Sequence, residues 1–113
     1  MVNPAIVKNV SKYLRALDDE GMAVRFGVIF GSYATGHADR WSDIDVLVVS
    51  PRFDGPRKRK DIDLIWRLAA KLDNRIEPIP CGERQWKDDV SSAIVEIARR
   101  EGEPVLLDSD RVI

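Results

Sequence analysis

The sequence predicts a small α/β domain in which helices pack against a short sheet. Three observations carry that prediction. Apolar residues recur at helical spacing in residues 4–20, 61–72 and 83–101. Two short apolar runs rich in β-branched residues, 22–30 and 44–50, lie between the first two of these segments. The resulting order is α-β-(turn)-β-α-β-α, with no internal repeat, linker or low-complexity stretch, so one domain spanning residues 1–113 is expected.

In residues 4–20, Ile6, Val7, Val10, Tyr13, Leu14 and Leu17 form one apolar stripe. Pro4 suits a first helical turn and Gly21 a stop just past the end. Residues 22–30, MAVRFGVIF, read as a buried strand. Residues 31–43, GSYATGHADRWSD, read as a glycine-containing loop with one helical turn at 33–35. Residues 44–50, IDVLVVS, are the most strand-like run, and Pro51 stops it. There Ile44, Val46 and Val48 alternate with Leu47 and Val49, so both faces of the strand are buried. Residues 51–60 are turn-rich and basic. In 61–72, Ile62, Ile65, Trp66, Ala69 and Leu72 share a helix face. The two prolines of RIEPIP, residues 75–80, confine it to a strand end or a sheet edge. Residues 83–101 read as a helical turn and then a helix, capped by Asp88 or Asp89 and ended by Gly102. A last short strand is expected in 104–109.

Composition narrows the function. Hydrophobic residues make up 44% of the chain, enough for a core, and no window approaches the ~18 apolar residues of a membrane span. No basic segment followed by an apolar one opens the chain, so a cytoplasmic protein is expected. The net charge of −1 disfavours a dedicated nucleic-acid coat. One cysteine, Cys81, and one histidine, His37, exclude a disulfide scaffold and a zinc finger.

Three places could carry chemistry. Gly31 to Ala38 has the glycine spacing of a Walker A loop, but His37 stands where the lysine belongs and Ala38 where the hydroxyl belongs. A strand ending in Gly31-Ser32 before a helical turn still offers backbone amides and a hydroxyl to a phosphate. The alternative is an ordinary strand-to-helix turn with Ser32 as N-cap.

The second place is Ser42-Asp43-Ile44-Asp45, leading into Val-Leu-Val-Val. On a strand Asp43 and Asp45 point the same way, with Cα atoms ~6.5–7 Å apart. Two acids at the start of a strand buried on both faces repel each other unless a cation sits between them, and magnesium favours a few carboxylates plus phosphate oxygens. Asp61-Ile62-Asp63 repeats the spelling on a helix, where positions two apart diverge and favour the helix N-terminus instead.

The third place is Glu77, which on a neighbouring strand could complete a cluster of three carboxylates; the alternative is a solvated strand-end residue. Arg57-Lys58-Arg59-Lys60, with Arg52 nearby, could hold phosphates or simply be a solvated loop, and no aromatic residues interleave with it for base stacking. His37 reads as a polar loop residue, and Cys81 has no visible acid–base partner.

Gly31-Ser32 followed eleven positions later by Asp43-Ile44-Asp45 is far more specific than either half. The stretch GSYATGHADRWSDIDVLVV resembles the signature of the DNA polymerase beta-like nucleotidyltransferase superfamily, and within it the minimal nucleotidyltransferase (MNT) domains of prokaryotes. The likeness runs over roughly residues 24–105. It implies a mixed rather than wholly parallel sheet. It implies that Gly31 and Ser32, with Ser42 beside the acidic pair, contact the nucleoside triphosphate. It also implies that Asp43 and Asp45 bind two Mg2+ ions and that Glu77, where the family often has aspartate, completes the metal site.

The activity implied is Mg-dependent transfer of AMP from ATP to a protein hydroxyl, as in antitoxins paired with a helical HEPN toxin. A chain of this length leaves most of the acceptor surface to a partner or a second copy. The rival function is a non-catalytic nucleotide-binding or partner-binding module. An aminoglycoside nucleotidyltransferase would need an added drug-binding domain.

Overall fold

The computed structural model describes residues 2–39, 41–89 and 91–108. Helix α1 spans Pro4–Asp19. Asn3 caps it by accepting a hydrogen bond from the Ala5 amide at 2.8 Å. Strand β1 is Phe26–Phe30, shorter than the apolar run 22–30 predicts. The reason is conformational: Ala23 has φ 54° and the Asp18 side chain accepts from the Val24 amide, so the chain turns there before it pairs.

After β1 come a short helix α2, Ser32–Thr35, and strand β2, Ile44–Val49. Ser50 closes β2 by capping a 3-10 turn, Pro51–Phe53, and donating to the Met22 carbonyl at 2.6 Å. Helix α3 covers Arg59–Leu72, starting two residues ahead of the expected 61–72. Strand β3 is Ile76–Cys81. Helices α4, Glu83–Asp88, and α5, Ala93–Glu101, follow. Ser92, rather than Asp88 or Asp89, caps α5 by accepting from the Val95 amide. The last strand, β4, is Glu103–Val105, earlier than the expected 104–109; Ser109 lies outside the described residues.

The four strands form one mixed sheet in the order β3-β2-β1-β4. β1 is antiparallel to β2 and β4, and β2 is parallel to β3 through the α3 crossover. Burial of β2 on both faces is borne out. Ile44, Val46 and Val48 join one core cluster with Val10, Tyr13, Leu14, Leu17 and Ile65 of α1 and α3. Leu47 and Val49 join a second with Val95 and Ala98 of α5. The Phe26 and Trp86 rings meet edge to face at 5.5 Å. Arg99 of α5 donates to the Gln85, Trp86 and Asp89 carbonyls, which fastens the last turn of α4 to this face.

β3 is an edge strand, as its prolines require. Ile44 and Ser50 donate to the carbonyls of Arg75 and Cys81, so the odd-numbered residues of this strand face β2. Pro78 and Pro80 occupy the alternate positions, where a ladder needs no donor. Between α1 and α3 the buried Tyr13 hydroxyl donates to the Ile65 carbonyl at 2.7 Å. Tyr13→Phe should lower unfolding free energy by about 1 kcal/mol, read as a lower urea midpoint with an unchanged m-value.

Candidate active site

The site forms where β1 ends and β2 and β3 begin. Antiparallel pairing sets Phe30 opposite Asp45, and parallel pairing sets Asp45 opposite Glu77. Asp45 and Glu77 therefore share a face of the sheet. That face carries Leu47 and Val49 further along β2, so the two acids sit at the end of an apolar surface.

Burial is the largest cause pushing the Asp45 carboxyl up to about 6; a hydrogen bond to Glu77 and repulsion from Glu77 and Asp43 add to it. Asp43 is exposed and lies one residue before β2. It acts on Asp45 through its charge. The arrangement is a pair of carboxylates in contact with a third within electrostatic reach. Among the described residues no group of three or more His, Cys, Asp or Glu side chains is placed to hold a metal ion. A hard cation at the Asp45–Glu77 pair would take its remaining ligands from water and phosphate.

Gly31 packs against the pair. Its backbone, at φ 76° and ψ −150°, is open only to glycine, and a Cβ there would meet Asp45 Oδ2 at 2.3 Å. Gly31, not Ser32, is the N-cap of α2. Ser32 is the first helical residue, and its hydroxyl has no partner among the described residues. The first amides of α2 have no intrahelical acceptor and open beside the carboxylates.

The structure thus gathers Gly31, Ser32, Asp45 and Glu77, with Asp43 alongside. It commits the Ser42 hydroxyl elsewhere. Ser42 Oγ accepts from the Asp39 amide at 3.0 Å and donates to Asp39 Oδ1 at 3.3 Å. Asp39 Oδ1 also accepts from the Trp41 amide at 2.8 Å, so this network shapes the loop that delivers Asp43. Sequence reasoning missed Asp39; an Asp three residues before a Ser in a loop is the signal for such a turn. His37 is exposed and its Nδ1 lies 3.0 Å from the Thr35 hydroxyl. Cys81 is buried, which pushes its thiol up to about 11 and leaves it inert as a nucleophile.

Comparison with known proteins decides the family. The family described as nucleotidyltransferase domain matches residues 7–102. This chain belongs to that family. Among curated proteins none matches the chain. Solved structures share the fold of this nucleotidyltransferase domain. A toxin–antitoxin crystallised with AMP-PNP is 20% identical with a TM-score of 0.62, over 91% of this chain and 74% of its own. A Sulfolobus solfataricus protein provisionally assigned as a nucleotidyltransferase is 19% identical with a TM-score of 0.59, over 87% and 77%. A variant of the toxin–antitoxin MntA–HpeT, with two aspartates changed to glutamate, is 17% identical with a TM-score of 0.58, over 91% and 74%. The mixed sheet that the family resemblance implies is the sheet observed. No helix among the described residues is long and apolar enough to cross a membrane.

Proposed function

We propose that this nucleotidyltransferase domain transfers AMP from ATP to a hydroxyl on a partner protein, a helical toxin of the HEPN kind. The observation that carries the reading is the Asp45–Glu77 pair held against Gly31 at the sheet end. Two acids pressed together beside exposed amides have no structural use that an apolar pair would not serve better. The toxin–antitoxin neighbour crystallised with AMP-PNP supports an adenosine triphosphate substrate and a toxin as acceptor. The two aspartates altered in MntA–HpeT lie two residues apart, the spacing of Asp43 and Asp45.

Asp43, Asp45 and Glu77 would hold Mg2+, two ions in the full reading. When bound, the metal supplies charge neutralisation and polarisation at the α-phosphate. Ser32 and the amides after Gly31 hold the β- and γ-phosphates. The acceptor hydroxyl attacks the α-phosphorus, pyrophosphate leaves, and Glu77 takes the hydroxyl proton. Its exposure suits that exchange with solvent.

The test is incubation with labelled ATP, Mg2+ and the protein encoded next to this one, followed by intact mass. A gain of one AMP on either protein is expected. Bound nucleotide without any mass gain would leave a non-catalytic binding module in its place. Glu77→Gln should lower kcat on the order of 10²-fold while leaving ATP affinity nearly unchanged. Asp63→Asn, on the exposed face of α3, should retain full activity. Equal loss in both variants would remove Glu77 from the chemistry.

A further inference from the structure

We infer that the opposite end of the sheet carries a second anion site, one for a phosphoryl group on a nucleotide-sized body. A cavity of about 450 Å³ opens there, between the end of α1, the turn after β2 and the first turns of α3. It lies beyond Val49, the far end of the strand that starts beside Asp45, more than roughly 13 Å along β2 from the carboxylate pair.

Its floor is built around Arg52. The Arg52 amide is held by Ser50 Oγ at 3.1 Å, and the guanidinium is held by Asp61 through Nε at 3.4 Å and Nη2 at 3.0 Å. Asp61 lies in the first turn of α3, as its spelling predicts, and is only 5% exposed. It is the buried anchor that fixes the arginine fork. Nη1 of Arg52 makes no bond among the described residues, so two N–H donors remain.

Lys60 and Arg67 also line the cavity, and neither has a hydrogen-bond or ion-pair partner among the described residues. Of the rest of the basic run, Arg57 donates to Gln85 at 2.8 Å and Arg59 lies 3.9 Å from Asp63. Glu20 on the rim is the one opposing charge not already bound to Arg52.

Three cationic groups, Arg52 from the turn after β2 and Lys60 and Arg67 from α3, suit a tetrahedral, multiply charged anion better than a planar carboxylate. The volume lies within the range of small-molecule pockets, and Met22 and Leu64 give it an apolar wall. That wall and that volume favour an organic phosphate. Inorganic pyrophosphate offers phosphoryl charge, more of it than AMP, without the body, and the two sources are separable.

The test is titration of the full chain in EDTA with pyrophosphate and, separately, with AMP, followed by amide NMR. Saturable shifts at Met22, Lys60, Leu64 and Arg67 are expected. Lys60→Gln with Arg67→Gln should raise Kd at least about tenfold, because hydrogen bonds to charged groups are worth that much. Both side chains belong to exposed residues, so the variant should keep its thermal midpoint. Tighter AMP than pyrophosphate supports the site as an organic-phosphate pocket; the reverse order would overturn the nucleotide-sized body. Absence of shifts, shifts unchanged in the double variant, or shifts at residues 32–35 instead would overturn it.

Discussion

Asp45→Asn is expected to abolish nucleotidyl transfer and, in EDTA at neutral pH, to make the protein more stable. The catalytic loss should be at least ~10³-fold, because a carboxylate in the metal-holding role proposed for Asp45 stabilises transition-state charge by several kcal/mol. The gain in stability follows from the position of the titration. The Asp45 carboxyl sits at about 6 in the fold against an ordinary value of 3.8, so folding opposes its ionised form. Above about pH 6 both folded and unfolded chains carry the charge, and the fold bears the whole penalty. As pH falls from 6 towards 4 the folded protein takes up a proton before the unfolded chain does, and the penalty fades. Wild type should therefore gain stability on acidification through that window, and the asparagine variant should not. Asp45 is only half-buried, so screening reduces the difference at pH 7.5 to about 1 kcal/mol. Urea titrations at pH 7.5 and pH 4 measure it. A variant less stable than wild type at pH 7.5 would show that the pair stabilises the apo fold.

Gly31→Ala should be nearly as damaging to activity and far worse for the fold. The backbone at φ 76° would cost about 1–3 kcal/mol with any side chain. The new Cβ would also arrive 2.3 Å from Asp45 Oδ2, so the carboxylate must move. Displacement by about 1 Å is enough for a 10²-fold loss of rate. Thermal melting and single-turnover transfer would separate the two effects. Gly36→Ala is the control: it also has positive φ, at 79°, but nothing lies within 4 Å of its Cβ, so it should lose stability and keep the site. Equal activity in the two variants would break the link between Gly31 and Asp45.

The parts of this fold legible in the sequence are those with a one-dimensional signature. β2 is unmistakable because burial on both faces makes an unbroken apolar run. Pro78 and Pro80 announce an edge because a ladder cannot use them from the inside. The apolar residues Met22, Ala23 and Val24 mislead because composition does not record a left-handed Ala23. Asp61 sits in the first turn of α3 as expected, yet its ion pair is not legible. Its half-buried partner, Arg52, comes from a different element, and spacing along α3 says nothing about it. The pairing of Asp45 with Glu77 likewise depends on the register set by the α3 crossover, which no local pattern reports. Ser42 stands beside the acidic pair in the chain, yet its hydroxyl belongs to Asp39.

The prolines of β3 decide how this molecule can meet another polypeptide. An open sheet edge ordinarily offers a row of amides on which a foreign strand can zip. On β3 two of the outward positions, Pro78 and Pro80, have no amide to offer. The other edge, β4, is three residues long with Pro104 at its centre. Neither border can template an added strand, so fibril-like self-association through this sheet is blocked at both sides. Any protein that receives a nucleotide here must be recognised by side chains on helices and loops, and such a surface can change its partner without disturbing the sheet that holds the carboxylates.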